Sequence, residues 1–236
     1  MSGMAGIVGA VTLPLLPAIK RRRTRQSDAR ADVADAALRA RRPSVLARHR
    51  NVCAGCGYPA KDPSHLDVHH LDDDHHNNED SNLVAACHTC HPYQHIGEVS
   101  VRADAWAEGL GKKSGLAHVP EIEPNDLNLL LRAIGAAMLE DSTRADAIEI
   151  YEEIMGRTDV TSARLGAWKA ADFAAAMAQL NDEQYQHRGK ALKGERLVFS
   201  EKVLEVVGRE FVKDYPSLPV ASWPLVAGGI IGPEAE

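Results

Sequence analysis

The chain is short of aromatic residues, of cysteine and of long apolar runs, and each shortage narrows what it can be. Aromatic side chains make up 5% of its 236 residues, so alanine, leucine, valine and isoleucine must fill the core that a 44% hydrophobic content allows. That composition favours helices. The apolar stretch from Met4 to Ile19 is interrupted by Pro14 and Pro17 and falls short of the ~20 apolar residues that a bilayer span needs. Nor does it read as a secretory leader, because the cluster Lys20-Arg21-Arg22-Arg23 follows the apolar stretch instead of preceding it. The expectation is a cytoplasmic protein with reduced thiols. No internal repeat is visible.

What is present is more specific. The only four cysteines stand as Cys53-Ala-Gly-Cys56 and Cys87-His-Thr-Cys90, with 30 residues between the pairs and His91 directly after the second. Two CxxC pairs suit a structural zinc, because each short turn offers two sulfurs about 3.7 Å apart at the ~2.3 Å bond typical of Zn–S. A disulfide framework is the rival reading, and the absence of a secretory signal speaks against it. Eight of the eleven histidines lie between His65 and His95, which shifts that segment further toward metal chemistry.

Charge is unevenly spread. From Lys20 to Arg50 there are eleven Lys or Arg against three Asp, while the whole chain carries a net charge of −6. A basic arm therefore joins an acidic body. It is either a solvated helix or a docking element for nucleic acid, anionic lipid or an acidic partner.

The periodicity predicts an α+β protein whose C-terminal part is mainly helical. Residues 1–43 read as an N-terminal segment and basic arm, with a short strand at Val11-Thr12-Leu13 and a helix from Ser27 to Arg42 that Pro43 interrupts or ends. A further turn from Ser44 to Arg50 leads into a small zinc domain, 44–98. A glycine-containing linker, 99–118, follows. Residues 119–215 form a helical annex with helices opening at Pro124, at Thr143, at Ala170 and at Glu195. The Pro- and Gly-containing tail, 216–236, reads as flexible.

The order His69-His70, Asn82-Leu83-Val84, Cys87-x-x-Cys90-His91 resembles the HNH endonuclease module, a ββα-metal fold, over about 45 residues. The resemblance implies His70 as general base, Asn82 as the residue orienting it, and His69, His91 and His95 as ligands of a second divalent cation separate from the zinc of Cys53, Cys56, Cys87 and Cys90. In that reading the cation stabilises charge on phosphate while His70 activates water. Five carboxylates between Asp72 and Asp80 oppose a nucleic-acid partner at that place.

A second resemblance reaches further. Arg48-His49-Arg50-Asn51-Val52-Cys53, the loop Asn77-Asn78-Glu79-Asp80-Ser81-Asn82-Leu83-Val84, Val119-Pro120-Glu121-Ile122, Asp126-Leu127-Asn128-Leu129-Leu130 and Ala147-Ile148-Glu149-Ile150-Tyr151 together resemble the IcmJ/DotN family of type IVB (Dot/Icm) secretion systems, over roughly residues 45–180. That family implies an HNH-like zinc fold with a helical annex. It also implies a cytosolic subunit of a coupling complex, peripheral to the inner membrane, that clasps the C-terminal tail of the coupling ATPase together with its adaptors. Well-known members of that family have eroded the HNH histidines, whereas His69, His70, Asn82 and His91 are all present here. Three functions thus stand as expectations: a zinc-bearing scaffold subunit, an HNH endonuclease, or a zinc-dependent nucleic-acid-binding module without catalysis.

Overall fold

A computed structural model describes residues 12–21, 28–96 and 114–216. It shows an α+β protein in two compact units, the first made of residues 1–15 and 20–94, the second of 16–19 and 95–236.

In the first unit, helix α1 (Ala31–Arg48) runs straight through Pro43, so the expected break there does not occur. Pro43 is exposed, which lets carbonyls freed by its missing N–H reach water, and Ser44 donates its hydroxyl to Arg41 O at 2.8 Å. The helix buries Ala34, Val45 and Leu46. Strands β1 (Leu66–His70) and β2 (Leu83–Cys87) pair antiparallel, with Leu66 opposite Cys87 and His70 opposite Leu83. Every residue of β2 is buried, so it carries small and aliphatic side chains on both faces. Leu13 is not in a strand; its N–H donates to Ala54 O, and Ala54 N–H donates to Ala85 O, so the Ala54 segment adds onto β2 and Leu13 onto that segment through main-chain bonds. The Val11 end of that expected strand and the Ser27 cap lie outside the described residues.

In the second unit, strand β3 (Gly115–His118) pairs antiparallel with β4 (Glu195–Val198). Both depart from the sequence reading: the end of the expected linker is a strand, and the helix expected from Glu195 begins only at Glu201. Gly194 stands just before β4 at φ +83, a left-handed conformation that breaks any helix before the strand. Helices α2 (Pro124–Ala137), α3 (Arg144–Leu165) and α4 (Ala170–Ala178) follow β3. The short α5 (Asp182–Gln186) and α6 (Arg188–Ala191) lead to β4, and α7 (Glu201–Asp214) closes the unit. Helices α2 and α7 cross backbone to backbone. A Cβ on Gly135 would lie 2.0 Å from Leu204 O, and one on Gly208 would lie 2.2 Å from Gly135 C. Around that crossing Leu127, Leu131, Leu204 and Val207 are fully buried. Tyr185 and Arg188 tie down residues 16–19: the Tyr185 hydroxyl accepts from Ile19 N and donates to Ile19 O, and Arg188 Nε donates to Pro17 O. The rest of the expected linker, 99–113, and the tail from residue 217 lie outside the described residues.

Candidate metal centre

The first cysteine pair sits in a tight knuckle. Val52 bridges Pro59, Cys53 N–H donates to Tyr58 O at 2.9 Å, and Gly57 N–H donates back to Cys53 O at 3.0 Å. Gly57 turns the chain at φ +75, and Gly55 packs so close that a Cβ there would sit 3.0 Å from Cys90 Sγ. The second pair begins where β2 ends, and Cys90 N–H donates to Cys87 O at 3.0 Å. The hairpin thereby delivers one knuckle and the α1–β1 connection the other.

All four cysteines are buried and joined by no disulfide, and their sulfurs lie within 4.8 Å of one another. Cys56 Sγ and Cys87 Sγ are 3.6 Å apart, close to the ~3.7 Å edge of an S₄ tetrahedron with ~2.3 Å bonds. Backbone N–H groups of Gly55 and Cys87 donate to Cys53 Sγ at 3.3 and 3.2 Å, and the Thr89 hydroxyl lies 3.3 Å from Cys87 Sγ. Such bonds orient thiolate ligands and favour their charged form. Proximity to Cys53, then to Cys87, pushes the Cys56 thiol up, and burial pushes Cys90 up. Crowded thiols therefore keep their protons unless a cation displaces them, which is the behaviour of a metal site. The donor set fits a soft or borderline ion.

The histidines divide. His69 is buried, and burial foremost, with His91 next, pushes it down to about 3; it is a neutral imidazole, the form that binds metals. Its ring meets that of His91 edge-on at 5.4 Å. His91 Nδ1 lies 3.2 Å from Asp67 Oδ2, the carboxylate–histidine contact that fixes a ligating ring. His91 opens a 3₁₀ turn, His91–Gln94. Among the described residues this turn, and no α-helix, follows β2 up to residue 96. His95 belongs to the second unit and is half-buried.

His70, the next residue along β1, points elsewhere, as strand alternation requires: its Nε2 is 3.1 Å from Asn78 Oδ1, and burial holds its pKa below the usual value. Asn82 anchors the loop after β1. Its Oδ1 accepts from Asp72 N, and its Nδ2 donates to Asp72 Oδ1 and Asn77 O. Asn77 Nδ2 donates to the other oxygen, Asp72 Oδ2, at 2.8 Å. The Asn-rich loop is thus a set of stapled turns. Asn78 was legible only as part of that composition, since nothing local marks it as the amide beside His70.

The C-terminal half of the basic arm is used internally. Arg42 Nη2 donates to Pro63 O and Leu66 O at 2.8 and 2.6 Å, and Arg48 Nη2 donates to Leu83 O at 2.6 Å. Arg41 and Arg48 also pair with Asp80. These guanidinium groups lock α1 onto the hairpin that carries Cys87. Arg22, Arg23 and Arg25 lie outside the described residues.

Among the described residues no helix is long and apolar enough to cross a membrane. No family model matches the chain. Over 125 residues it is 29% identical to the type 4 apparatus protein DotN of Legionella pneumophila, a match that covers 52% of this chain and 53% of that protein. The chain thus spans about half the length of the curated relative it matches, and its similarity is to a type 4 apparatus protein.

Proposed function

We propose that the protein is a zinc-bearing scaffold subunit of a type IVB secretion or conjugation coupling complex, holding the C-terminal tail of the coupling ATPase with its adaptors at the cytoplasmic side of the inner membrane. The observation that carries this reading is the similarity to DotN over half of both chains. The buried cluster of Cys53, Cys56, Cys87 and Cys90 supports it physically. A zinc held by four sulfurs has no open position for substrate and serves to fix the fold, as a scaffold needs. In the second unit Val119, Ile122, Leu130, Ile150 and Ile154 line an apolar cleft of about 200 Å³ rimmed by Glu121, Glu153 and Arg157. Ile150 is also strongly exposed. This cleft suits the apolar face of a partner helix. A pull-down of the full chain with the ATPase tail tests the reading: retention at micromolar concentration, weakened by Ile150→Asp, is expected, and no retention of the tail by the wild type rejects it.

The HNH-like reading of the hairpin belongs to the same proposal, and one observation favours residual nuclease chemistry: His69 is neutral, faces His91, and His91 is oriented by Asp67. In that second reading His69 and His91 take a divalent cation, while His70 is the general base and Asn82 holds the loop beside it. Cleavage of supercoiled plasmid with Mg²⁺, Mn²⁺ or Ni²⁺ by the wild type, lost in His70→Ala, would establish it in place of the scaffold.

A further inference from the structure

The loop after β1 brings together three side chains that no local sequence pattern connects. His75 and His76 are neighbours in a turn, and both aim Nε2 at a single atom, Asp28 Oδ2. His75 Nε2 lies 2.7 Å from it, and His76 Nε2 makes an even closer approach. The rings stand 4.6 Å apart between centroids, tilted by 36°. Consecutive residues of a strand would point to opposite faces; here an Asx turn, in which Asp74 Oδ1 accepts from His76 N at 3.0 Å, folds both rings to one side. We propose that Asp28, His75 and His76 form a divalent-cation site of their own, separate from the four-cysteine cluster.

Four features support the assignment. The three ligand atoms lie within 4.8 Å of one another, close enough for small side-chain rotations to set all three around one ion with bonds of roughly 2.0–2.2 Å. The carboxylate is aimed: its Oδ1 is occupied by Arg30 N–H at 2.9 Å, so Oδ2 is the oxygen presented to the imidazoles. The loop is held by its own turns, with Asp72 bonded by Asn77 and Asn82, Asp74 N–H donating to Asp72 Oδ1, and Asn77 N–H donating to Asp74 O. Such outer bonds are what orient metal ligands. Lastly, the Asp28 and His75 side chains are 4% and 7% exposed, whereas that of His76 is 28% exposed. The group is therefore closed on the protein side and open on one rim, which leaves a coordination position for water or an exchangeable ligand.

The alternative is a carboxylate accepting two N–H bonds. That would require both rings to carry their proton on Nε2 and to direct two donors at one oxygen. A cation takes the Nε2 lone pairs directly and removes the crowding of two donors on Oδ2. Two imidazoles and one carboxylate, with no sulfur, select a borderline first-row ion such as Zn²⁺, Co²⁺ or Ni²⁺ over Mg²⁺ or Ca²⁺, which prefer all-oxygen shells.

The test is Co²⁺ binding to the full chain already loaded with one equivalent of zinc, followed by absorption spectroscopy and elemental analysis. The wild type is expected to take a further Co²⁺ with ligand-field bands and no sulfur-to-cobalt charge transfer. Asp28→Asn, which keeps the size and an acceptor, should lose that ion or bind it roughly 100-fold more weakly, with an unchanged circular-dichroism spectrum. Equal Co²⁺ affinity in a folded Asp28→Asn variant overturns the proposal. If that variant does not fold, His76→Gln on the exposed rim takes its place, and unchanged Co²⁺ affinity there overturns the proposal equally.

Discussion

Replacing Cys87 with serine perturbs the first unit at its centre. Cys87 is fully buried at the end of β2, its sulfur lies 3.6 Å from Cys56 Sγ, and its N–H donates to Cys53 Sγ. Serine keeps nearly the same shape, so the packing cost is small and the loss is that of a thiolate ligand. Structural zinc contributes an apparent ~10–16 kcal/mol to small metal-stabilised domains; even a quarter of that, about 3 kcal/mol, is a large part of the ~5–15 kcal/mol that holds an ordinary domain together. The rest of the first unit's stability comes from an apolar core that includes Val45, Leu46, Leu66, Leu83 and Val84. Hydrogen exchange read by mass spectrometry resolves the effect by region. Peptides covering 53–70 and 83–90 should lose most of their protection in Cys87→Ser, and in the wild type after chelation. Peptides from α2 and α7, whose packing rests on the Gly135–Gly208 crossing, should keep theirs. A verified metal-free variant with an unchanged hairpin exchange pattern would refute the reasoning, because the metal would then contribute nothing to that fold.

Further outcomes follow from other parts of the structure. Gly208→Ala places a methyl group 2.2 Å from Gly135 C, so it should cost about 3 kcal/mol or more in urea unfolding; a loss under about 0.5 kcal/mol, the range of a neutral surface change, would mean that the helices do not cross there. Arg42→Met removes donors to two carbonyls, Pro63 O and Leu66 O, and should cost about 1–3 kcal/mol, seen as a lower melting temperature. His69 is held neutral, with its pKa lowered from 6.5 to about 3 in the folded chain. The unfolded chain therefore binds the extra proton between those values, and this residue's share of stability is present above pH 6.5 and is lost as pH falls toward 3. His69→Gln should flatten that part of the acid-unfolding profile relative to wild type, and an unchanged profile would show that His69 does not titrate this way.

How much was legible in the sequence depended on how local each signal was. The cysteine knuckles were readable because ligand spacing is itself the signal, and Pro124 marked its helix start because an N-terminal proline needs no N–H partner. Strand β4 was misread as helix because Arg196-Leu197-Val198-Phe199 continues an apolar run that fits either period; the left-handed Gly194 before it was the overlooked cue. Strand β3 is four residues of Gly, Leu, Ala and His, none β-branched, so only its pairing with β4 makes it a strand. The helix through Pro43 survived because its solvent-facing side tolerates lost main-chain bonds. The meeting of Asp28 with His75 and His76 spans 47 and 48 positions, a separation at which no pattern in a single chain gives notice, and the same is true of Arg42 and Arg48 reaching the hairpin.

The measurement that bears most directly on the account is zinc-edge X-ray absorption of the full chain reconstituted with one equivalent of zinc. Four sulfur neighbours at about 2.3 Å are predicted, from Cys53, Cys56, Cys87 and Cys90. A first shell built only of nitrogen and oxygen would contradict it.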